Sequence, residues 1–358
     1  MATVRHDIRV EADVPRADVR RFPRARRAAL WSLGGLLGVA AIALAVTAVL
    51  DARDQRRDPP GDLVELADGR VLHLQVAGVE HGGPTVVLDA GQGLFSPAFA
   101  WLQAELAEQA TVVAYDRPGY GWSSPTDRPV DAAATADDLH EALSEQSLEG
   151  PYLLVGHSLG AFYVRTFADR YPDQTLALVL LDPAHEQQLA RLPEEAVAEF
   201  EEAGAMFRWA ARLARFGVFR LSNPQQAATT DLPPAAAQQI VDVSAAAPYW
   251  RAAGAEVDAF SVLAAAPSRG LDDQHVTIIG AGRDVPDGPQ VQGVMNELHR
   301  ELASRVPNAA HHTIDGADHL SLLTVEEHAQ AVASLIVDLL PRSVEAGRHD
   351  EAGEGSSP

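Results

Sequence analysis

Ser158 stands in Gly156-His157-Ser158-Leu159-Gly160, which fits the pattern G-x-S-x-G. The run follows a short apolar stretch, 152–155, and opens a helical one, 159–171, so the serine is expected at a strand-to-helix turn. Such a turn pushes the hydroxyl into the open, and the flanking glycines let the backbones pass closely. The free N–H groups at the start of the helix, that of Leu159 in particular, then point at an oxyanion forming on a bound carbonyl. A serine hydroxyl is a poor nucleophile until a base takes its proton. In the chain order Ser…Asp…His, that base is expected to be His319, in Gly316-Ala317-Asp318-His319-Leu320. Of thirteen histidines it alone combines that order with a place just after an apolar run, 311–314, where a strand's carboxyl end meets ligand in open α/β sheets. An acid must orient the imidazole and stabilise the imidazolium. Asp284, following the run 276–279, is the favoured residue, with Asp182 at the end of 176–181 and Asp287 as rivals. The second oxyanion donor is expected in Ala90-Gly91-Gln92-Gly93-Leu94, as the amide of Gln92.

Those loops need a frame. Short apolar runs at 85–89, 111–115, 152–155, 176–181, 276–279 and 311–314 suit strands buried on both faces of a parallel sheet. Ahead of them, 63–67 and 70–76 flank Asp68-Gly69, a hairpin signal. Helical patterns at 97–109, 132–146 and 159–171 lie between the runs. A last helix is expected from Thr324, where T-x-x-E fits a capping box. The alternation predicts a doubly wound α/β sheet, eight-stranded and mostly parallel, that begins with an antiparallel hairpin. Residues 185–274 break the rhythm with alanine-rich helical patterns and are expected to form a helical cap. Phe200, Phe207, Trp209, Phe216, Phe219, Tyr249, Trp250 and Phe260 are its candidate pocket walls.

The 358 residues contain no cysteine, which excludes disulfides, thiolate metal sites and a cysteine nucleophile. Adjacent His311 and His312 are expected on opposite faces of a strand and make a poor metal pair. All basic residues are arginine and the net charge is −22. Residues 1–50 carry +4 and the remainder −26, so the body lacks the basic footprint a nucleic acid needs. Residues 28–50 are uncharged, long enough to span a bilayer of ~30 Å as a helix, and follow an arginine-rich flank. The expectation is a basic cytoplasmic tail (1–27), a transmembrane anchor (28–50), a proline-broken stalk (51–61), an extracytoplasmic domain (62–341) and a disordered tail (342–358). Secretion after signal cleavage is the alternative.

Together GHSLG at 156–160, GADHL at 316–320 and Asp116-Arg117-Pro118-Gly119-Tyr120-Gly121-Trp122-Ser123 resemble the cap-bearing branch of the α/β-hydrolase superfamily, over about residues 62–340. The third stretch looks like that family's D-R-x-G-x-G-x-S loop. The resemblance implies a Ser-His-acid hydrolase that acts on esters, thioesters, lactones or related small acyl compounds and needs no cofactor or metal. Acyltransferases, cofactor-free perhydrolases and catalytically silent scaffolds are alternatives on the same fold. Relatives that are epoxide hydrolases or haloalkane dehalogenases use aspartate at the nucleophile position, where this chain has Ser158. Two departures stand out: Ala90-Gly91 where many relatives have His-Gly, and a spacing from Gly280 to Asp284 one residue longer than the usual G-x-x-D. The second keeps Asp182 in contention.

Overall fold

The computed structural model describes residues 32, 38–50, 59–81, 84–267, 271, 274–283, 290–307 and 309–340. Eight strands form one sheet in the order β1-β2-β4-β3-β5-β6-β7-β8. They are β1 (Asp62–Glu65), β2 (Val71–Ala77), β3 (Val86–Asp89), β4 (Val112–Asp116), β5 (Tyr152–His157), β6 (Thr175–Leu181), β7 (Val276–Ala281) and β8 (Ala309–Ile314). The first two pair antiparallel around the turn at Gly69, and β2 pairs antiparallel with β4. All later pairings are parallel. The continuous apolar runs of β3 to β7 are therefore buried on both sides, as parallel strands between helices must be.

A helix at residues 38–50, α1, precedes the sheet. Then α2 (Ala100–Leu106), α3 (Ala132–Glu145) and α4 (Gly160–Arg170) follow β3, β4 and β5. The cap comprises α5 (Gln188–Arg191), α6 (Glu194–Ala214), α7 (Val218–Leu221), α8 (Gln225–Ala228), α9 (Pro234–Ser244), α10 (Ala247–Asp258) and α11 (Phe260–Ala264). The chain returns through α12 (Val291–Arg305), α13 (Ser321–Thr324) and α14 (Glu326–Val337). One face of the sheet is covered by Leu102 and Leu106 of α2 with Val332 and Ile336 of α14. The other is covered by Leu139 and Leu143 of α3, Phe167 of α4 and Leu302 of α12. Strand order reverses between β3 and β5. The crevice at their carboxyl ends is the place where such sheets bind ligands.

Several expectations need correction. No helix among the described residues is long and apolar enough to cross a membrane. Of the expected anchor, residues 32 and 38–50 are described and are helical, while 28–31 and 33–37 lie outside the described residues. Its Thr47 is buried, and Cβ added to Gly217 between α6 and α7 would stand 2.9 Å from Thr47 Oγ1. With no membrane-crossing helix among the described residues, the expected transmembrane segment, attachment to a membrane through residues 28–50 and the single-pass topology are corrected. Residues 1–27 and 342–358 lie outside the described residues. The capping box also fails to form: Thr324 ends α13 with its hydroxyl donated to the Leu320 carbonyl, and α14 starts after Val325 without a side-chain cap. The helix α12, not among the expected elements, carries Met295, Leu298 and Leu302 inward at helical spacing. Among the cap aromatics, Tyr249, Trp250 and Phe260 are core residues, Phe207 stacks on Trp250, Phe219 lies tilted against it, and Phe200 packs on Phe260. Trp209 and Phe216 face outward.

Candidate active site

The end of β5 turns into α4 through Ser158, whose φ of 52° is left-handed and rare for a residue with a side chain. The turn is tight enough that Cβ added to Gly156 would stand 2.7 Å from the Gly160 carbonyl. Two backbone bonds brace it against the next strand: Ser158 N–H donates to Leu181, and Ala184 N–H donates to Ser158. The serine is thereby lifted above the sheet with its Oγ free to meet the loop after β8.

That loop brings His319. Ser158 Oγ–H donates to His319 Nε2 at 3.0 Å, and His319 Nδ1–H donates to Asp182 Oδ2 at 2.6 Å. A carboxylate can only accept, which assigns the proton to Nδ1 and leaves Nε2 free to take one. Asp182, at the end of β6 with φ 38°, is almost wholly buried. Its other oxygen accepts from Ala281 N–H at 3.0 Å and from Gln292 Nε2 at 2.9 Å. Burial opposes its charge, but the bond and charge of His319, with His299 and the Ala281 amide, outweigh it and hold Asp182 well below the usual carboxylate range. The His319 loop is fixed from two sides. Asp318 Oδ1 accepts from the Leu320 and Ser321 amides, and buried His157 donates Nε2–H to the His319 carbonyl at 2.9 Å. Burial and the adjacent His319 push His157 down to about 3, so it stays neutral. The side chain of His319 is 43% exposed, open to substrate and water.

The loop after β3 passes directly beside the elbow. Cβ added to Gly91 would lie 2.9 Å from His157 Nδ1 and 3.1 Å from Ser158 Cβ, so only glycine fits. Among the described residues, no backbone carbonyl takes the N–H of Gln92 or of Leu159. Two donors with no backbone acceptor among the described residues thus come from different elements, Leu159 next to Ser158 in the chain and Gln92 next to Gly91, which lies against Ser158.

Residues 79–324 match the sequence profile of the alpha/beta hydrolase fold family. The chain belongs to this family. A thermophilic esterase from Thermogutta terrifontis shares its fold at a TM-score of 0.56 and 22% identity, covering 78% of this chain and 100% of that one. A putative epoxide hydrolase from Pseudomonas aeruginosa aligns at 0.59 and 19%, covering 78% and 97%. By sequence, an uncharacterized protein of Schizosaccharomyces pombe is 27% identical over 168 residues, 39% of this chain and 31% of that protein. The chain spans less than half the length of the first curated relatives it matches.

In this α/β-hydrolase the structure brings Ser158 to His319, with Leu159 next to the serine in the chain and Gln92 next to Gly91, whose backbone passes beside the serine. The carboxylate it brings to His319 is that of Asp182, the rival. Asp284, favoured from the sequence, and Asp287 lie outside the described residues. Three participants were not read from the sequence at all. Gln292 and His299 flank Asp182 from α12, and they share a helix face with Asn296 at spacings of four and three residues. Their signal was the helical periodicity of 291–305. His157, the variable position of the motif, holds the histidine loop. Nothing in its sequence neighbourhood marks that role, because the partner is a backbone atom 162 residues away.

Proposed function

We propose that the chain is a serine hydrolase that cleaves an ester or related acyl bond of a small molecule through an acyl-enzyme intermediate. The observation that carries this reading is the unbroken hydrogen-bond chain from Ser158 Oγ through His319 to Asp182. Ser158 Oγ attacks the acyl carbonyl carbon while His319 Nε2 takes its proton. The carbonyl electron pair moves onto oxygen, where the Gln92 and Leu159 amides receive it. Collapse expels the alcohol, which leaves with the proton from His319. Water then repeats the sequence: His319 takes its proton, its oxygen attacks the acyl carbon, and Ser158 leaves reprotonated with the acid as product. Asp182 keeps the Nδ1–H tautomer and stabilises the imidazolium throughout.

The likeness to an esterase agrees with this chemistry. The likeness to a putative epoxide hydrolase is one of fold, since the elbow carries serine where such relatives carry aspartate. The exposure of His319 favours water over a sequestered acyl acceptor. On this reading residues 62–341 are the catalytic domain and 185–274 its cap. The test is labelling of the full chain with a fluorophosphonate probe beside hydrolysis of p-nitrophenyl esters from acetate to palmitate. Both are expected in wild type and lost in Ser158→Ala and His319→Ala. Folded wild-type protein that takes no probe and turns over no ester refutes the reading.

A further inference from the structure

Arg117, from the D-R-x-G-x-G-x-S stretch, has no part in the chain of groups above, yet it lies buried beneath the oxyanion loop. Its fork is fully used. Nη1 donates to Asp89 Oδ1 at 2.6 Å and to the Ala90 carbonyl at 2.5 Å, and Nη2 donates to the Gly91 carbonyl at 2.9 Å. Nε and Nη2 meet the two oxygens of Glu256 at 2.7 and 3.2 Å. Glu256 belongs to α10, in the cap, and is itself buried. It also accepts from Tyr120 Oη at 2.7 Å and from Tyr163 Oη at 3.3 Å. The same helix holds the oxyanion loop twice more: Gln92 Nε2 donates to the Ala253 carbonyl at 2.9 Å, and Tyr249 Oη donates to the Gly93 carbonyl at 2.8 Å.

The Gly91 carbonyl and the Gln92 N–H belong to one peptide group. In a trans peptide they point in opposite directions, and the plane is rigid. The Gly91 carbonyl accepts from Arg117 and from the Leu94 N–H at 3.1 Å, so the Gln92 N–H of the same peptide is turned away from Arg117. A charge-assisted bond at the oxygen also polarises the amide and strengthens the N–H as a donor. We infer that Arg117, locked by Glu256 of the cap, is a positioning residue that aims and strengthens the Gln92 oxyanion donor, so that cap helix α10 is part of the scaffold of the oxyanion hole. This rests on the hydrolase reading above. It assigns the cap a role in the rate of the chemical step as well as in binding.

The test separates transition-state stabilisation from stability. In the full chain, Arg117→Lys keeps the charge but cannot serve Asp89, Glu256 and two carbonyls together. Glu256→Gln keeps the shape and leaves the fork on the loop, but sets an NH2 against a guanidinium donor. Each is compared with wild type for kcat and KM on the best ester. Each is also compared for the affinity of a boronic acid, whose Ser158 adduct mimics the tetrahedral oxyanion, against that of the matching carboxylate product. Arg117→Lys is expected to lose ~10-fold or more in kcat with KM changed by less than ~3-fold, and Glu256→Gln ~3-fold or more in the same sense. The ratio of boronate to carboxylate affinity should fall by the same factor. A merely structural role would lower the melting temperature or the fraction titrated by fluorophosphonate and leave that ratio alone. If Arg117→Lys does not fold, Glu256→Gln decides. Folded variants whose kcat per titrated site and affinity ratio stay within ~2-fold of wild type overturn the inference. Wild-type protein inert to ester and probe overturns the hydrolase reading instead.

Discussion

Replacing Asp182 by asparagine tests the site most sharply, because the surroundings dictate how the amide must sit. The Oδ1 position receives two donors, the Ala281 amide and Gln292 Nε2. An NH2 group there would face both of them, so the asparagine oxygen takes that place. The NH2 then takes the Oδ2 position, which lies 2.6 Å from His319 Nδ1. A donor facing Nδ1 drives the ring to the tautomer with its proton on Nε2, opposite Ser158. The imidazole can then no longer accept the hydroxyl proton, and the imidazolium has lost its counter-charge. The expected loss is ~10⁴-fold in kcat, or about 5.4 kcal/mol of activation free energy, with KM little changed. The fold should survive, since the buried oxygen keeps both donors. The assay is p-nitrophenyl ester turnover per folded site, beside Asp284→Asn and Asp287→Asn, which should stay within ~2-fold of wild type. Retention of more than ~10% of kcat by Asp182→Asn, with a collapse in either of the others, refutes the assignment of Asp182.

Three further outcomes follow from the same geometry. Gly91→Ala places a methyl against His157 Nδ1 and Ser158 Cβ, so the oxyanion loop must move; kcat should fall by ~10²-fold in a protein that circular dichroism shows folded, and an unchanged rate would refute the close approach. Gln292→Leu removes one of two donors to Asp182 Oδ1 and should lower kcat by ~10-fold while KM holds, whereas a rise in KM alone would place Gln292 in substrate binding instead. His157 is held neutral with its pKa depressed from 6.5 to about 3. Between those values the unfolded chain binds a proton that the folded one does not, so this group makes stability rise with pH across that window, by up to ~1.4 kcal/mol per unit, and fall as pH drops through it. Urea unfolding from pH 3.5 to 6.5 should show a shallower slope for His157→Gln, and identical slopes would show that His157 is not the linked group.

The sheet, its hairpin and the cap were legible because each rests on a local signal: period-free apolar runs, Asp-Gly at a turn, a long helical insertion. Ser158 and His319 were legible because backbone constraints and chain order mark them. The carboxylate that meets His319, Asp182, was legible only as a rival, because several aspartates end strands on this side of the sheet and the path of the His319 loop is not a local signal. Gln292 was hidden with α12, whose polar stripe reads as surface until Asp182 is known to face it. Arg117 and Glu256 are 139 residues apart and pair across the cap, a contact no local pattern encodes. The anchor expectation rested on length and hydropathy, which describe what a segment is able to do, whereas no helix among the described residues is long and apolar enough to cross a membrane.

Ser158 and Asp182 are held by one mechanical solution. Ser158 and Asp182 both carry side chains at left-handed φ, 52° and 38°, at the carboxyl ends of adjacent strands. Either conformation alone is uphill by ~1–3 kcal/mol and holds only when its surroundings over-determine it. Here they hold each other. Ser158 donates its N–H to Leu181, the residue before Asp182, and accepts from Ala184, two residues after it. Asp182 N–H is taken in turn by Ile279 of β7. The ladder between β5, β6 and β7 thus continues past the strand ends into the catalytic loops. Relaxing one strained residue would break the bonds that fix the other. A carboxylate at the end of β6 gains from this what one on β7 would lack: the backbone on either side of it is bonded directly to the serine elbow, leaving His319 as the one member of the three that arrives on a loop of its own. That loop is the one His157 and Asp318 hold, which is where the remaining positional freedom of the site has been removed.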